Sequence, residues 1–177
     1  MKRILLALTV FMGPCVALAT PNTHCTAATP AIDTAAYATG DYMGAAVLTF
    51  SGALNGSTNA GYINSVQVTD KAAQAVDMDL VIFTDDPSST TLTDNAAFDP
   101  ADADLTKIAG VINLGSASRF AFSDNGTKFL GSLVLPVVGG RISGAPSTNL
   151  YGALVARGAY DGASSSDLTV TICVSQD

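Results

Sequence analysis

The chain has no tryptophan, no glutamate, a single histidine and only 8 lysine and arginine residues among its 177 positions. Its 15 acidic residues are therefore all aspartates, and the formal net charge is −7. This balance disfavours a nucleic-acid partner, because phosphate binding requires clustered lysine and arginine. The shortage of glutamate and lysine, beside 16 glycines and many threonines, serines and valines, disfavours long helices and favours short strands joined by turns.

The same shortages limit the catalytic chemistry that the chain can perform. The only histidine is His24, near the N-terminus, and no Gly-x-Ser-x-Gly sequence is present, so a Ser-His-Asp triad is hard to build. A zinc site needs more ligands than His24 and its neighbour Cys25 supply. Paired carboxylates occur, but a glycosidase groove is disfavoured without tryptophan. We expect a non-enzymatic protein without a cofactor.

The first 19 residues have the three-part pattern of a secretory signal peptide. A basic head, Met1–Arg3, precedes an apolar run, Ile4–Leu18, and small residues at positions 17 and 19 favour cleavage after Ala19. The run is short for a membrane span and is interrupted by Gly13-Pro14, so we expect no stable membrane anchor. The alternative is an uncleaved apolar arm that packs on a neighbouring subunit.

Cleavage would remove Cys15 and leave Cys25 and Cys173 near the two ends of the mature chain. An even pair of cysteines in an exported protein predicts a disulfide, here one that joins the N-terminal segment to the last strand. Residues 20–36 are rich in threonine, alanine and proline without periodicity, and are predicted to form an extended arm or linker. Residues 37–177 are predicted to form a single domain.

Two segments give the strongest strand signals. Asp77 and Asp79 alternate with Met78 and Leu80, and the segment then continues as the apolar run Leu80–Phe83, which predicts a strand that enters the core and ends at the turn 85–88. Residues 168–174 alternate with a period of two. Further strands are predicted over 45–50, 62–69, 111–114, 118–123, 129–135 and 150–156. About eight short strands predict an all-β fold, a β-sandwich most simply of jelly-roll type.

One short helix is predicted near residues 100–108. Asp99 would be its N-cap, Pro100 its first residue, and further aspartates would lie in its first turn. Asp124-Asn125-Gly126 predicts a hairpin turn, and Gly139–Pro146 a long flexible loop.

Aspartates in and before this helix form a weak calcium candidate, since a hard cation favours oxygen ligands. The candidate ligands are Asp94, Asp99, Asp102 and Asp104. Their spacing fits no complete EF-hand loop, so helix capping is the favoured interpretation. Gly139-Gly140-Arg141 could cradle an anion, although a flexible hairpin is the commoner meaning of such glycines. The glycosylation triplets at Asn55 and Asn125 coincide with turns and are weak signals.

From about Tyr37 onward the order of features resembles a family of small tailed-phage virion structural proteins, of the capsid decoration or cement type. The segments that carry the resemblance are Tyr37–Asp41, Ile63–Val66, Thr69–Lys71, Asp79–Pro87, Thr91–Asn95, Asp104–Val111, Leu150–Leu154 and Ser166–Val170. The resemblance implies a non-enzymatic component of the virion that forms a homo-oligomer, with a trimer favoured, and contacts the major capsid protein or another virion protein.

The signal-like N-terminus departs from that family's pattern. It fits an alternative hypothesis, an exported adhesin-like β-sandwich that is secreted or periplasmic after cleavage near Ala19. Such a protein would bind a ligand or a surface through the loops Asp85–Asp94 and Gly139–Pro146.

Overall fold

The computed structural model describes residues 22–74, 76–115, 119–121, 129–133 and 141–176. Within them the chain forms ten strands and one short helix, α1 (Asp102–Leu105). The strands are β1 (Asn22–Ala28), β2 (Leu48–Phe50), β3 (Gly61–Asp70), β4 (Met78–Phe83), β5 (Ile108–Leu114), β6 (Arg119–Ala121), β7 (Phe129–Leu133), β8 (Arg141–Ile142), β9 (Leu150–Ala156) and β10 (Leu168–Gln176). The predicted all-β class is confirmed.

The strands form two antiparallel sheets. The first sheet has the order β1-β10-β3-β7-β6, with β8 also paired to β3, and the second has the order β2-β9-β4-β5. Along β10 buried residues alternate with half-buried ones, as the period of two predicted. Its buried Val170 and Ile172 share one core cluster with Leu80 and Leu154 of the second sheet. The two sheets therefore pack face to face, and the predicted β-sandwich is confirmed.

Strand β4 is buried on both faces. Leu80 and Ile82 face the core between the sheets, whereas Val81 and Phe83 face a second cluster on the outer side of the second sheet. Residues 84–101, here called the covering segment, supply Leu92 and Phe98 to that cluster. A strand covered on both sides needs apolar residues at successive positions, which explains the uninterrupted run Leu80–Phe83.

The N-terminal segment differs from the predicted arm. Residues 22–28 form a hydrogen-bonded strand at the edge of the first sheet, paired along its whole length with β10. Cys25 lies directly opposite Cys173 in this register, and the predicted disulfide between them is confirmed. The sequence of β1 lacks a periodic pattern because five of its seven side chains are exposed, so the pairing with β10 rather than a buried face of its own places it in the sheet.

Helix α1 is shorter than predicted, and its predicted cap is wrong. The N-cap residue is Ala101, without a side-chain capping bond, rather than Asp99. The predicted loop Gly139–Pro146 contains the two-residue strand β8, which pairs with Gly61 and Tyr62 of β3. The signal-like residues 1–19, Gly139-Gly140, the turn at 124–126 and the triplet at Asn125 lie outside the described residues.

Candidate functional site

The four aspartates of the calcium candidate lie in three different surroundings. Asp94 contacts the N-terminal part of the domain, Asp104 is fully buried under the covering segment, and Asp99 and Asp102 are exposed. Among the described residues, no group of three or more His, Cys, Asp or Glu side chains is arranged to hold a metal ion. The structure therefore does not bring the four carboxylates together.

The buried carboxylate of Asp104 holds the covering segment in place through hydrogen bonds. One of its carboxylate oxygens, Oδ2, accepts hydrogen bonds from the Thr90 hydroxyl at 2.7 Å and the Ser89 backbone N–H at 3.0 Å. The other, Oδ1, pairs with the Lys107 ammonium at 2.8 Å. The Thr90 hydroxyl also accepts a bond from the backbone N–H of Ala101 at 3.1 Å. These bonds tie Ser89 and Thr90 to the carboxylate, and the Thr90 hydroxyl in turn closes the loop to Ala101.

The hydrogen bond from Lys107 is the main cause that holds the pKa of Asp104 below its ordinary value, while burial acts in the opposite direction. The same bond raises the pKa of Lys107. Both shifts favour the ionised pair. The arrangement suits a structural clamp, since the ammonium neutralises the carboxylate inside the loop.

Asp94 performs a similar task near the middle of the covering segment. Its Oδ1 accepts bonds from the Tyr37 hydroxyl at 2.6 Å and from the Gly44 backbone N–H at 2.8 Å. The Tyr37 oxygen in turn accepts a bond from the backbone N–H of Asp33 at 2.6 Å. Burial is the main cause that raises the pKa of Tyr37, and the carboxylate of Asp94 adds to it. Asp94 thereby ties the covering segment to residues 33–44.

A third carboxylate is buried beside an aromatic ring in the first sheet. The Tyr160 hydroxyl donates to Asp70 Oδ1 at 2.9 Å, and both groups are buried. Asp70 also accepts from the backbone N–H groups of Ala72 and Gln74, at 3.0 Å each, and so shapes the turn after β3. Burial raises the pKa of the Tyr160 hydroxyl, with Asp70 contributing.

Asp79, another buried carboxylate, was predicted at the start of a strand that enters the core and is only 6% exposed. It accepts from the Asn113 amide at 2.8 Å and from Arg157 Nε at 2.5 Å, and so joins β4, β5 and the end of β9. The sequence signal that could have located it is an aspartate within an apolar strand, which requires a buried partner.

The outer face of β1, β10 and β3 in the first sheet is a candidate contact surface. Along β10, Thr169, Thr171, Cys173 and Ser175 alternate with the buried core residues and so point away from the core. The register places Ala27 and Gln67 on either side of Thr171. The only charged residue of β1, β3 and β10 is Asp70, which is buried. A neutral face on these three strands allows close approach to another surface despite the acidity of the chain.

Exposed large hydrophobic side chains are few in the described part of the chain. They are Tyr62 on β3, Leu105 on α1 and Val111 on β5, with exposures of 39%, 47% and 57%. The apolar residues of the covering segment, Leu92 and Phe98, are instead packed on the second sheet. Part of the predicted binding loop Asp85–Asp94 is therefore packed against the second sheet.

His24 lies exposed on β1 beside the disulfide-bonded Cys25. None of the helices in the described residues has the length and apolar character needed to cross a membrane.

Comparisons of the chain with protein-family models, curated proteins and solved structures gave no match.

Proposed function

We propose that the chain is a non-enzymatic structural protein of a virion, a capsid decoration or cement component that acts through protein–protein contacts. The observation that carries the proposal is the placement of the segments that resemble the phage family. Asp79–Pro87 contains most of the central strand β4, Leu150–Leu154 begins its neighbour β9, and Ser166–Val170 leads into β10. The resemblance thus follows the framework of the sandwich rather than a pocket.

The order of the strands supports a jelly roll. When the short strands β6 and β8 are set aside, the remaining eight, numbered in chain order, form sheets with the orders 1-8-3-6 and 2-7-4-5. Such an order arises when one long antiparallel hairpin, with the pairs 1·8, 2·7, 3·6 and 4·5, folds so that successive pairs alternate between two sheets. Jelly rolls occur in viral capsid proteins and in lectins, so the topology fits the proposal by analogy.

The buried carboxylates support a framework role for the aspartates. Asp70, Asp79, Asp94 and Asp104 each hold a turn, a loop or a strand end through the hydrogen bonds described above. These structural hydrogen bonds account for the four aspartates without a role in catalysis or ligand binding. What remains for function is the surface, above all the neutral outer face of β1, β10 and β3, where contact between copies brings few like charges together.

Native mass spectrometry of the full chain, purified after expression, tests the proposal. We expect a closed homo-oligomer, with a trimer favoured, that persists on dilution to low micromolar concentration. A strictly monomeric protein over the whole concentration range contradicts it. The genes beside this one provide an independent check, because a structural virion protein is expected near portal and major capsid genes.

The disulfide favours a second candidate, the exported adhesin-like sandwich. A bond between Cys25 and Cys173 is typical of proteins that mature in an oxidising compartment. Mass spectrometry of the intact protein under non-reducing conditions, isolated from its native source, separates the two candidates. A monomer that has lost residues 1–19 and carries the disulfide supports export, whereas an oligomer that retains Met1 in purified particles supports the virion protein.

A further inference from the structure

Strand β1 is attached to the sandwich mainly through β10. It lies at the edge of the first sheet, and each of its residues is registered against a residue of β10. Only Thr26 and Ala28 are partly buried, and the other five side chains are exposed. Burial of apolar surface therefore contributes little to the attachment, which depends on the ladder hydrogen bonds and on the disulfide.

The disulfide lies at the middle of this attachment. Cys25 is the fourth of the seven residues of β1 and is bonded to Cys173, its direct partner in the ladder. While the bond is intact, β1 cannot leave β10 at its centre, and only three residues on either side can fray. Cys25 is exposed and Cys173 is half-buried, so a reductant in solution can reach the sulfur atoms.

We propose that the Cys25–Cys173 bond is a redox latch, which holds β1 on β10 when oxidised and releases β1 when reduced, while the rest of the sandwich stays folded. The reductant is a dithiol. Its thiolate attacks one sulfur of the bond and forms a mixed disulfide, and its second thiol then completes an internal disulfide. In the balance the protein gains two electrons and two protons and carries two thiols, and the dithiol becomes oxidised.

Among the residues of β1, Ala28 is the one that packs against the core between the sheets. Val170, Ile172 and Val174 of β10 pack in the cluster between the sheets, and β10 stays paired with β3 along nine registered positions. Release of β1 removes one edge strand and exposes the hydrogen-bonding edge of β10, which can then pair with another strand. The latch goes beyond the proposed function and applies both to a virion protein and to an exported protein. In either case the cytosol would keep the two cysteines reduced, and the exterior of the cell would oxidise them.

Hydrogen–deuterium exchange of the full chain, compared with and without dithiothreitol, tests the latch. We expect the β1 amides that are hydrogen-bonded to β10 to exchange at least tenfold faster after reduction and to lose their protection, while those of β4 and β9 remain much better protected than β1. Unchanged exchange in β1 overturns the proposal. Loss of all protection in β4 and β9 together with β1 also overturns it, because the bond would then hold the whole fold rather than one strand.

Two variants provide matched controls. The double variant Cys25→Ser/Cys173→Ser is expected to show fast exchange in β1 under all conditions and no response to dithiothreitol. Adding Ala27→Cys and Thr171→Cys to it moves the bond to the next register pair on the same face, which is expected to restore slow exchange and the response to reduction. Wild-type protection of β1 in the double variant would contradict the latch. If either variant does not fold, the reduced wild type decides.

Discussion

At the scale of single residues, the buried pair of Asp104 and Lys107 provides the sharpest test of the framework role. The change Asp104→Asn removes the ion pair and weakens the bonds from Thr90 and Ser89, so the Lys107 ammonium loses its carboxylate partner and keeps only its bond to the Asp86 carbonyl. We expect the melting temperature at pH 7 to fall by roughly 5–10 °C, as measured by circular dichroism. Asp102→Asn, an exposed change in the same helix, is the matched control and should alter it by no more than about 2 °C.

The lowered pKa of Asp104 gives this pair a signature at acidic pH. A carboxyl group whose pKa is lower in the folded state stabilises the fold above its unfolded pKa of about 4, and the stabilisation is lost as the pH falls through the folded value. The asparagine variant has no such group. We therefore expect the difference in melting temperature between wild type and Asp104→Asn to narrow between pH 6 and pH 3. A constant difference would contradict this assignment.

The hydroxyl of Tyr160 is expected to contribute measurably to stability. Tyr160→Phe removes the donor at 2.9 Å from Asp70 and leaves a buried carboxylate oxygen with one bond fewer. We expect the free energy of unfolding in urea to fall by about 1–2 kcal/mol. Tyr62→Phe, on an exposed ring of β3, should change it by less than about 0.5 kcal/mol. Equal effects of the two changes would show that the buried hydrogen bond between Tyr160 and Asp70 stabilises the fold no more than the exposed hydroxyl of Tyr62 does.

At the scale of elements, two glycines on either side of β4 test how tightly the second sheet packs. Gly152 in β9 and Gly110 in β5 both pair with Ile82. A Cβ atom at Gly152 would lie 2.9 Å from the ring of Phe50 and 3.1 Å from Leu80, whereas at Gly110 it would meet nothing within 4 Å. We expect Gly152→Ala to reduce the free energy of unfolding by about 1–3 kcal/mol, measured in urea.

Gly110→Ala serves as the control, because it changes the same residue type in the neighbouring strand. Its effect is expected to stay within about 0.5 kcal/mol. Similar losses in both variants would indicate that strand propensity, rather than the contact with Phe50 and Leu80, determines the cost.

The elements that were predicted correctly are strands whose own pattern of apolar and polar residues indicates which of their faces are buried. Strand β10 alternates because one of its faces packs on the core, and β9 coincides with the predicted 150–156. The run Leu80–Phe83 predicted a buried strand because both faces of β4 are covered. In each case the hydrophobic pattern of consecutive residues indicates which faces of the strand are buried, so the strand can be predicted from the local sequence.

The elements that were missed depend on partners far away in sequence. Strand β1 is recognised only from its pairing with β10, and the burial of Asp79 only from Arg157, which lies 78 positions later. Asp99 does not cap α1, because the helix begins at Asp102, two residues later than predicted, and Asp104 bonds to Thr90 instead of serving the helix end. Tertiary hydrogen bonds outweigh local preference at such positions, and a single sequence does not display them.

At the scale of the whole molecule, the two sheets differ in what their outer faces meet. The outer face of the second sheet is covered by Tyr42 and by residues 84–101, which form a second apolar cluster with it. The outer face formed by β1, β10 and β3 in the first sheet is neutral and polar, and the disulfide lies on it. The two outer faces are therefore unlike, and the face of β1, β10 and β3 is the one left open for contact with another surface.

The disulfide also bears on the stability of the entire domain, because it joins residues separated by 148 positions. In the chain-entropy account, closing so long a loop stabilises the folded state by up to about 5 kcal/mol. We expect reduction of the wild type, or Cys25→Ser/Cys173→Ser, to lower the free energy of unfolding by up to that amount. Urea titration followed by tyrosine fluorescence measures it, and dithiothreitol should not affect the double variant further. An unchanged midpoint on reduction would show that the loop contributes nothing to global stability.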